Sequence, residues 1–485
     1  MKYSETDNFI NGRRVRTGRP RMEVLSPLDG KVISTVPLCG YEELNEAVEA
    51  AKKAFPGWSA QTSKKRSEVL YRYHALLKQN IAELAALIHD ENGKTLGEAT
   101  AEVEKSIELT EFACSVPQIT AGEILQVSDG VVCHTEYAPL GIVACINPFN
   151  FPHMVPHWTI PLAIALGNCI IVKPSEKVPV TAVKMAEMFK EAGLPDGVLN
   201  VVQGNRELAE AICDHPDIKA VSFVGSTEIA KTVYRRAAMN LKRCLALGGA
   251  KNHLLVFPDA DLLMTAADIT ASFTGTAGQR CMAASVMVAV GNVDHIIARL
   301  CEEARKVKPG LNLGPLISQA SKDKINAYIN RAEHMGAEIL VDGRNAEIEG
   351  EGDPAGFYIG PTIIEYANPK DLPLEEVFGP VFEIVHVKTL DEALAIENIS
   401  PYGNAASAFT QTGGVADEVA ARASSGMIGV NIGVPVPREP FSFGGWNDSK
   451  FGAGDLTGKG GIAFWTQLKK VTKKWKKQEK TDWMS

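Results

Sequence analysis

The segment CIIVKPSEKVPVTAVKMAEMFKEAG, residues 169–193, decides the fold class of this chain. Its apolar start, Cys169 to Val172, has the length of a buried strand. The amphipathic run from Pro179 to Ala192 has the length of a helix, which Gly193 ends. The same order recurs on both sides, between residues 141 and 237. This alternation predicts an open parallel sheet with helices on both faces.

A second series of alternating strands and helices runs from His253 to Thr410, so we expect two α/β lobes, the first ending near Leu245. The period-two pattern over residues 124–137 predicts a hairpin that interrupts the first lobe, and residues 464–471 resemble a late strand. Such edge strands can pair between subunits or within one chain, and the sequence leaves both open.

Charge and hydropathy exclude several classes of protein. The 485 residues are 45% hydrophobic and 22% charged, with a formal net charge of −8, whereas a nucleic-acid binder usually has a strongly basic face. The one cluster of basic residues, Lys469 to Lys480, is more typical of a solvated tail or a subunit contact than of a membrane-binding or nucleic-acid-binding patch. Without a secretory signal or an uninterrupted apolar window of about 18 residues, we expect a cytoplasmic or organelle-matrix protein with no membrane or nucleic-acid partner.

One of the nine cysteines stands apart from the others. Eight lie in runs typical of buried thiols, and no CxxC pair occurs, so we expect no metal site. Cys281 instead follows the small residues of AGQR (277–280), which should deliver it into a loop. A thiol in that setting is a candidate nucleophile.

Three strand ends carry polar groups suited to a nucleotide or an oxyanion, although GxGxxG and the P-loop are absent. Lys173 and Glu176 could bind ribose hydroxyls, or could form a solvated turn. Gly225 and Ser226 open a helix whose N-terminus suits phosphate, or Ser226 is a simple N-cap. The asparagines of INPFNFP (146–152) could donate to an oxyanion, or could belong to a buried turn.

Taken together, these segments resemble the aldehyde dehydrogenase superfamily, and the likeness runs from about Phe9 to Phe464. The matching motifs are INPFNFP (146–152), KPSE (173–176), FVGST (223–227), LGG (247–249), GQRC (278–281) and EEVFGP (375–380). The resemblance implies an NAD-binding domain over residues 1–119 and 139–245, a catalytic domain over 246–440, and a small β oligomerisation arm over 120–138 and 464–485. It also implies a homodimer or homotetramer.

The resemblance further implies catalytic roles. Cys281 would attack the aldehyde carbon, while Asn150 and the backbone N–H of Cys281 would hold the oxyanion. Hydride transfer to NAD would then leave a thioester on Cys281. A non-enzymatic protein that keeps only the fold is the alternative from another class, and the intact Cys281 and Asn150 argue against it.

The cofactor contacts implied by the resemblance are spread over four segments. Lys173 and Glu176 match contacts to the adenosine ribose, and the carboxylate of Glu176 favours NAD over NADP. The remaining positions contact the pyrophosphate, the nicotinamide ribose or nearby parts of the cofactor: Asn147, Phe149, Lys177, Gly225, Ser226, Gly248, Glu376 and Phe378.

One departure from the family pattern concerns deacylation. Hydrolytic members carry a water-activating glutamate where this chain has Ala246. Alanine cannot supply general-base help, which is worth about 10²–10⁴-fold. A thiol such as coenzyme A, which ionises more readily than water, then becomes the expected acyl acceptor; the alternative is that another carboxylate or histidine acts as the base.

The likeness is closest to the coenzyme A-acylating methylmalonate-semialdehyde dehydrogenase branch, which shares GAKNH (249–253), RCM (280–282), VPVP (434–437) and SFGGW (442–446). Arg280 would then pair with a substrate carboxylate. Lys105 replaces a second arginine of that branch. His153 and His157 replace apolar residues in the segment that flanks the pocket, and Arg438 replaces a neutral residue, so the resemblance implies a more cationic and polar pocket. We therefore expect a small anionic aldehyde of the methylmalonate or malonate semialdehyde type, with sulfolactaldehyde or succinate semialdehyde, oxidised to the free acid with NAD(P), as the alternative.

Overall fold

The computed structural model of the chain describes residues 1–475. Its strands in chain order, β1 to β22, are Asn8–Ile10, Arg13–Val15, Arg21–Leu25, Val32–Pro37, Ile124–Ser128, Val131–Pro139, Ile142–Ile146, Cys169–Lys173, Leu199–Val201, Ile218–Val224, Arg243–Leu247, Asn252–Val256, Ala284–Val290, Glu338–Val341, Thr362–Glu365, Val381–Val387, Tyr402–Gly403, Ala405–Phe409, Met427–Val430, Trp446–Asn447, Lys450–Phe451 and Thr466–Lys474.

The α-helices in chain order, α1 to α16, are Tyr41–Ser59, Ser63–Gln79, Ile81–Asn92, Leu96–Cys114, Val116–Ile119, Met154–His157, Ile160–Ala165, Val180–Glu191, Arg206–Asp214, Thr227–Met239, Leu262–Thr274, Asp294–Arg305, Gln319–His334, Leu390–Ile399, Gly413–Arg422 and Gly458–Trp465. Two short 3₁₀ helices span Gly275–Gly278 and Pro369–Asp371. Within residues 1–475, no helix is both long and apolar enough to cross a bilayer.

The first lobe contains an eight-stranded sheet in the order β2-β1-β9-β8-β7-β10-β11-β21. Strands β9, β8, β7, β10 and β11 run parallel, and the edge strands pair antiparallel. Every residue of β7 and β8 is buried. Helices cover both faces of such a sheet, which explains why these two strands are continuous apolar runs.

The second lobe contains a seven-stranded sheet in the order β14-β15-β16-β13-β12-β18-β19, parallel except for β14. The chain passes from the first sheet to the second between Leu247 and Asn252, and β21 returns to the first. The predicted α/β fold with two parallel-sheet lobes is therefore confirmed. The numerical domain limits given above stay a prediction.

Strands β5 and β6 form the predicted hairpin, and β22 joins them in a three-stranded sheet in the order β22-β6-β5. Strand β22 pairs with β6 of the same chain from Thr466 opposite Pro139 to Lys474 opposite Val131. Pairing within the chain is thus the alternative that the structure supports. The late strand begins at Thr466 rather than at residue 464, because helix α16 extends to Trp465. Part of the predicted arm and of the basic run 469–480 lies outside the described residues.

Two predicted helices are each divided. The periodic stretch 64–88 forms α2 and α3, which meet at Asn80, and the stretch 155–165 forms the short helices α6 and α7. Asn80 donates its side-chain amide to the carbonyl of Leu76 and so ends α2. Proline lacks a backbone N–H, which explains why the segment with Pro156 and Pro161 does not form one continuous helix.

Candidate active site

A single cleft of about 590 Å³ lies beyond the carboxyl ends of strands β7, β8, β10 and β11. Ligands of open α/β sheets bind at this edge. The cleft brings together most of the residues singled out from the sequence: Asn147, Phe149, Asn150, Lys173, Glu176, Gly225, Ser226, Gly248, Cys281, Glu376 and Phe378.

A strained turn delivers Cys281 to the cleft. Thr276 and Ala277 have positive φ angles of 55° and 51°, and Gly278 follows with φ 68°. Left-handed backbone is costly for residues with a Cβ, and such strain concentrates at functional sites. A Cβ atom on Gly278 would overlap the backbone of Gly379, so the nucleophile loop packs directly against the 375–380 loop.

Two asparagines fix the backbone of the nucleophile. Asn252 donates its side-chain amide to the carbonyl oxygen of Cys281 over 2.8 Å, and Asn404 donates to the same oxygen over 2.9 Å. Both asparagines are buried. Because two rigid donors hold one carbonyl, the direction of the following N–H groups is set before any substrate binds.

The Cys281 thiol is protonated in the cofactor-free cleft. Burial, followed by the nearby carboxylate of Glu376, raises its pKa to about 12, although the Arg280 guanidinium lowers it. The thiolate is the reactive form of cysteine. The site therefore needs a change in charge or a proton acceptor before Cys281 can attack.

Asn150 lies across the cleft and faces the nucleophile loop. Its Nδ2 atom donates to the carbonyl oxygen of Gln279 over 3.0 Å, and the residue is 6% exposed. A side-chain amide carries two N–H groups, so one is left for a ligand. A single donor already aimed at the residues beside Cys281 can stabilise an oxyanion there.

The opposite end of the cleft suits a nucleotide. Lys173 is buried, donates to the carbonyl oxygen of Pro174 over 3.0 Å and lies 3.5 Å from the Glu176 carboxylate. Burial lowers the pKa of Lys173. Ser226 caps helix α10 without a side-chain hydrogen bond to the first turn, so those N–H groups remain available to a phosphate. A Cβ on Gly225 would lie only 2.5 Å from the Phe223 ring, so this position has no room for a side chain.

Glu376 connects the nucleotide cleft to the nucleophile. Its Oε1 atom accepts the backbone N–H of Ala250 over 2.9 Å, and burial raises the pKa of the carboxyl to about 7. Glu376 also lines a second, small cavity with Arg280 and Cys281. A carboxyl that titrates near neutral pH beside a candidate nucleophile can either bind a ribose hydroxyl or move a proton.

Comparisons with known proteins agree with this geometry. The model of the aldehyde dehydrogenase family matches residues 15–471. The chain belongs to that family. It is 42% identical over 480 residues to malonate-semialdehyde dehydrogenase 1 of Geobacillus thermodenitrificans, covering 96% of this chain and 98% of the relative. It is 41% identical over 478 residues to malonate-semialdehyde dehydrogenase of Pseudomonas aeruginosa, covering 96% of each chain.

Solved aldehyde dehydrogenases have the same fold. The methylmalonate-semialdehyde dehydrogenase of Oceanimonas doudoroffii superposes with a TM-score of 0.95 at 39% identity, covering 98% of this chain and 99% of that one. A provisionally assigned methylmalonate-semialdehyde dehydrogenase of Sinorhizobium meliloti 1021, complexed with NAD, also has a TM-score of 0.95, at 38% identity and with 99% of both chains covered. The predicted resemblance is confirmed.

Several residues assigned to the substrate or cofactor in this aldehyde dehydrogenase do not line the large cleft. Arg280 is half-buried and donates to the carbonyls of Ala271 and Ser272 at the end of α11, over 3.1 and 3.0 Å. Lys177 stands beside the cleft, with Nζ 5.4 Å from the centre of the Phe149 ring. Arg280 instead lines the small cavity, together with Cys281.

His157 requires a correction. We expected it to flank the substrate pocket, but it is 1% exposed and its Nε2 atom lies 2.9 Å from the Tyr73 hydroxyl. Its Nδ1 atom lies 2.6 Å from the carbonyl oxygen of His153, and burial lowers its pKa to about 4. The sequence could not separate a pocket histidine from a core histidine, because α6 is too short for a readable period. His157 is a neutral core residue of the enzyme.

Lys105 and Arg438 lie together, but they are already paired with acids. Lys105 Nζ lies 3.0 Å from the carboxylates of both Glu108 and Glu439. Arg438 is largely exposed, and its nearest acid is Glu108 at 3.8 Å. The cationic pocket expected from these residues is thus balanced by carboxylates in this aldehyde dehydrogenase.

Sequence reasoning missed the residues that support the site: Lys94, Glu102, Lys251, Asn252 and Asn404. One signal was available for Glu102, because it lies on the apolar face of α4 with Ala99 and Val103. A charged residue at a core position must be paired or hydrogen-bonded. No periodic signal marks the two asparagines, whose partners are distant in sequence.

Proposed function

We propose that this protein oxidises a small anionic aldehyde, of the malonate or methylmalonate semialdehyde type, with NAD and passes the acyl group from Cys281 to coenzyme A. The observation that carries the proposal is that Cys281 and Asn150 share one cleft with Lys173, Glu176 and Glu376. A nucleophile, an oxyanion donor and groups suited to a dinucleotide thus meet at one place.

The substrate class rests on the relatives together with two cations, Arg280 and Lys105. The relatives at 41–42% identity are named malonate-semialdehyde dehydrogenases. Arg280 is adjacent in sequence to the nucleophile, and Lys105 is one-fifth exposed. A guanidinium can hold a carboxylate with two parallel hydrogen bonds, whereas an ammonium acts as a point charge. We assign Arg280 as the main contact to the substrate anion, with Lys105 and Arg438 as secondary ones.

The residues of the cleft fit NAD. Lys173 and Glu176 would hold the adenosine ribose, the N-terminus of α10 at Ser226 would face the pyrophosphate, and Glu376 with Phe378 would hold the nicotinamide ribose. Asn147, Phe149, Lys177, Gly225 and Gly248 complete the contacts. When bound, NAD supplies the hydride acceptor. The neighbouring structure from Sinorhizobium meliloti is a complex with NAD.

The protein's own groups divide the chemistry between them. The Cys281 sulfur forms a bond to the aldehyde carbon after its proton has left, and the Asn150 amide with the N–H of Cys281 binds the oxygen that becomes negative. Loss of hydride from that carbon restores the carbonyl and leaves the acyl group on sulfur. The Asn252 and Asn404 contacts keep the Cys281 backbone in place through both steps.

Ala246 directs the acyl group towards coenzyme A. Ala246 lies fully buried on β11. Because its side chain is a methyl group, no proton acceptor stands at the position where hydrolytic relatives carry glutamate. Water is a poor nucleophile without a base, whereas a thiol is a few per cent ionised near pH 7. Attack by the coenzyme A sulfur on the thioester carbon releases the Cys281 thiolate and forms the acyl-coenzyme A.

A second candidate function is release of the free acid with NAD or NADP, from an aldehyde such as sulfolactaldehyde or succinate semialdehyde. The observation that favours it is Glu376, whose pKa of about 7 and place beside Cys281 suit a general base. Glu376 would then replace the missing glutamate and activate a water for attack on the thioester.

One experiment separates the two functions. NADH formation from malonate semialdehyde, succinate semialdehyde and sulfolactaldehyde is followed with and without coenzyme A, and the products are identified by mass spectrometry. We expect sustained turnover of malonate semialdehyde only with coenzyme A, a burst of one NADH per site without it, and neither from Cys281→Ala. Equal steady-state rates with and without coenzyme A, with the free acid as product, would support the second function. Glu376→Gln should then abolish this turnover.

A homodimer or homotetramer and a cytoplasmic location belong to the same proposal. Among residues 1–475, no strand pairs with the outer edge of β5 in the small sheet, and β5 exposes Ile124, Leu125 and Val127. Light scattering on the full chain at several concentrations measures the assembly. A monomer at micromolar concentration would contradict it.

A further inference from the structure

The turn between α3 and α4 is joined to α4 by an ion pair that has no contact with solvent. Lys94 Nζ lies 2.6 Å from Glu102 Oε2, and both side chains are 0% exposed. Desolvation of two charges largely cancels their attraction, so a buried pair is weak evidence for stability. The reason for burying this pair must therefore lie in the other contacts of the two charged groups.

All other polar contacts of the two charged groups go to the backbone of the loop that carries Asn150. Lys94 Nζ donates to the carbonyl oxygen of Asn150 over 2.8 Å and stands 3.9 Å from the centre of the Phe151 ring. The Oε1 atom of Glu102 accepts the backbone N–H groups of His153 and Met154 over 2.8 and 3.0 Å.

A third side chain of the same region, Asn92, also contacts this loop. Its Nδ2 atom donates to the carbonyl oxygen of Phe149 over 2.8 Å. The loop contains Pro148 and Pro152, which have no N–H to donate, and none of it belongs to a strand. Its position therefore depends on these side chains rather than on a β-ladder.

The contacts form one connected path to the nucleophile. Glu102 holds Lys94, Lys94 holds the carbonyl of Asn150, and the side chain of Asn150 donates to the carbonyl of Gln279 over 3.0 Å. Gln279 stands two residues before Cys281. A displacement of the Asn150 backbone would thus move the amide relative to the carbon that Cys281 attacks.

We propose that Lys94 and Glu102 are positioning residues that hold the Asn150 amide at the oxyanion site. The inference rests on the proposed oxidation of an aldehyde at Cys281, and it is independent of whether coenzyme A or water takes the acyl group. A misplacement of about 1 Å at a reacting centre costs about 10²-fold in rate. The pair would act in the step that forms NADH, before the acyl group leaves.

The test compares the double variant Lys94→Met/Glu102→Gln with the wild-type chain, in the presence and absence of Asn150→Ala. Removing both charges avoids leaving one of them unpaired in the core. The readout is the single-turnover rate of NADH formation without coenzyme A, with thermal unfolding and NADH affinity measured in parallel. Arg66→Met is the matched control, because Arg66 is also a buried cation that donates to a backbone carbonyl, that of Ala165.

With Asn150 present, we expect the double variant to form NADH about 100-fold more slowly at saturating cofactor. In the Asn150→Ala background the same double change should cost less than about twofold, because residues that act through one group are not additive. Arg66→Met should lose stability and keep the rate. Equal losses in both backgrounds, or no loss with Asn150 present, would overturn the proposal.

Should the double variant fail to fold, Asn92→Ala makes the same comparison, since it removes only the contact to Phe149. We expect about a tenfold loss that again disappears with Asn150→Ala. A loss that persists in that background would overturn the proposal. Absence of NADH from the wild-type chain would instead refute the proposed function, so the two failures are distinguishable.

Discussion

The ammonium of Lys105 lies 3.0 Å from the carboxylate of Glu439, and this ion pair joins helix α4 to the loop between β19 and β20. Glu108 binds the same ammonium, also over 3.0 Å. Lys105 is therefore occupied by two acids before any substrate arrives. At the substrate contact proposed for Lys105, an anionic aldehyde would have to compete with these carboxylates for the cation.

Glu439→Gln should improve the use of anionic aldehydes. The change removes one competitor for Lys105, and a partly exposed pair is worth about 1 kcal/mol or less, so we expect KM for malonate semialdehyde to fall by up to about fivefold. KM for propionaldehyde should stay unchanged. Glu418→Gln, which removes an exposed partner of Arg422, is the control. An equal change in both KM values would contradict the role of Lys105.

The alkylation rate of Cys281 should rise steeply with pH. Because burial raises the thiol pKa to about 12, the thiolate fraction of the cofactor-free enzyme grows about tenfold per pH unit between pH 7 and 9. The measurement is iodoacetamide labelling in a Cys133→Ser background, which removes the other partly accessible thiol. Cys281→Ser gives the residual labelling. A plateau below pH 9 would show that the thiol ionises much earlier.

Glu376→Gln should make Cys281 more reactive at high pH and leave it unchanged at low pH. The carboxyl has a pKa of about 7, so it is anionic above pH 8, where its charge raises the thiol pKa, and neutral below pH 6. Above pH 8 we expect the variant to label up to about tenfold faster than wild type. Glu375→Gln is the control, since Glu375 pairs with Arg331. Parallel profiles at every pH would refute the coupling.

Glu176→Gln should weaken the preference for NAD over NADP. The carboxylate lies 3.5 Å from Lys173, at the end of the cleft that we propose for the adenosine ribose, and would repel a 2′-phosphate there. We expect the ratio of kcat/KM for NADP to that for NAD to rise about tenfold or more. Glu191→Gln, at the end of α8, serves as the control. An unchanged ratio would show that the 2′-phosphate of NADP does not bind beside Glu176.

Lys251→Met should destabilise the second lobe strongly. Lys251 pairs with Glu383 over 2.5 Å, and both side chains are 1% exposed, so the change leaves a buried carboxylate without its cation. We expect a loss of about 3–5 kcal/mol in the free energy of unfolding. Lys251→Met/Glu383→Gln should lose less, as measured by urea denaturation. The reverse order of stabilities would contradict this account.

The local sequence was sufficient to locate the strand ends and to single out Cys281 as the candidate nucleophile. Lys173, Gly225 and Cys281 were recognisable because apolar runs stop just before polar or small residues, a pattern that depends on neighbours in the chain. Parallel strands then place their carboxyl ends at one edge, so a common cleft followed from the topology. The family resemblance supplied Glu376 and Asn150.

Only the tertiary structure decided which charges face the cleft. Lys105 and Glu439 are 334 residues apart, so no local pattern could show that Lys105 is neutralised. His157 packs against Tyr73, which is also distant in sequence, so no local pattern could show that His157 belongs to the core. The support of Asn150 by Lys94 was hidden for the same reason. Short-range periodicity fixes strands and helices, whereas the burial and pairing of an ionisable group depend on side chains brought close by folding.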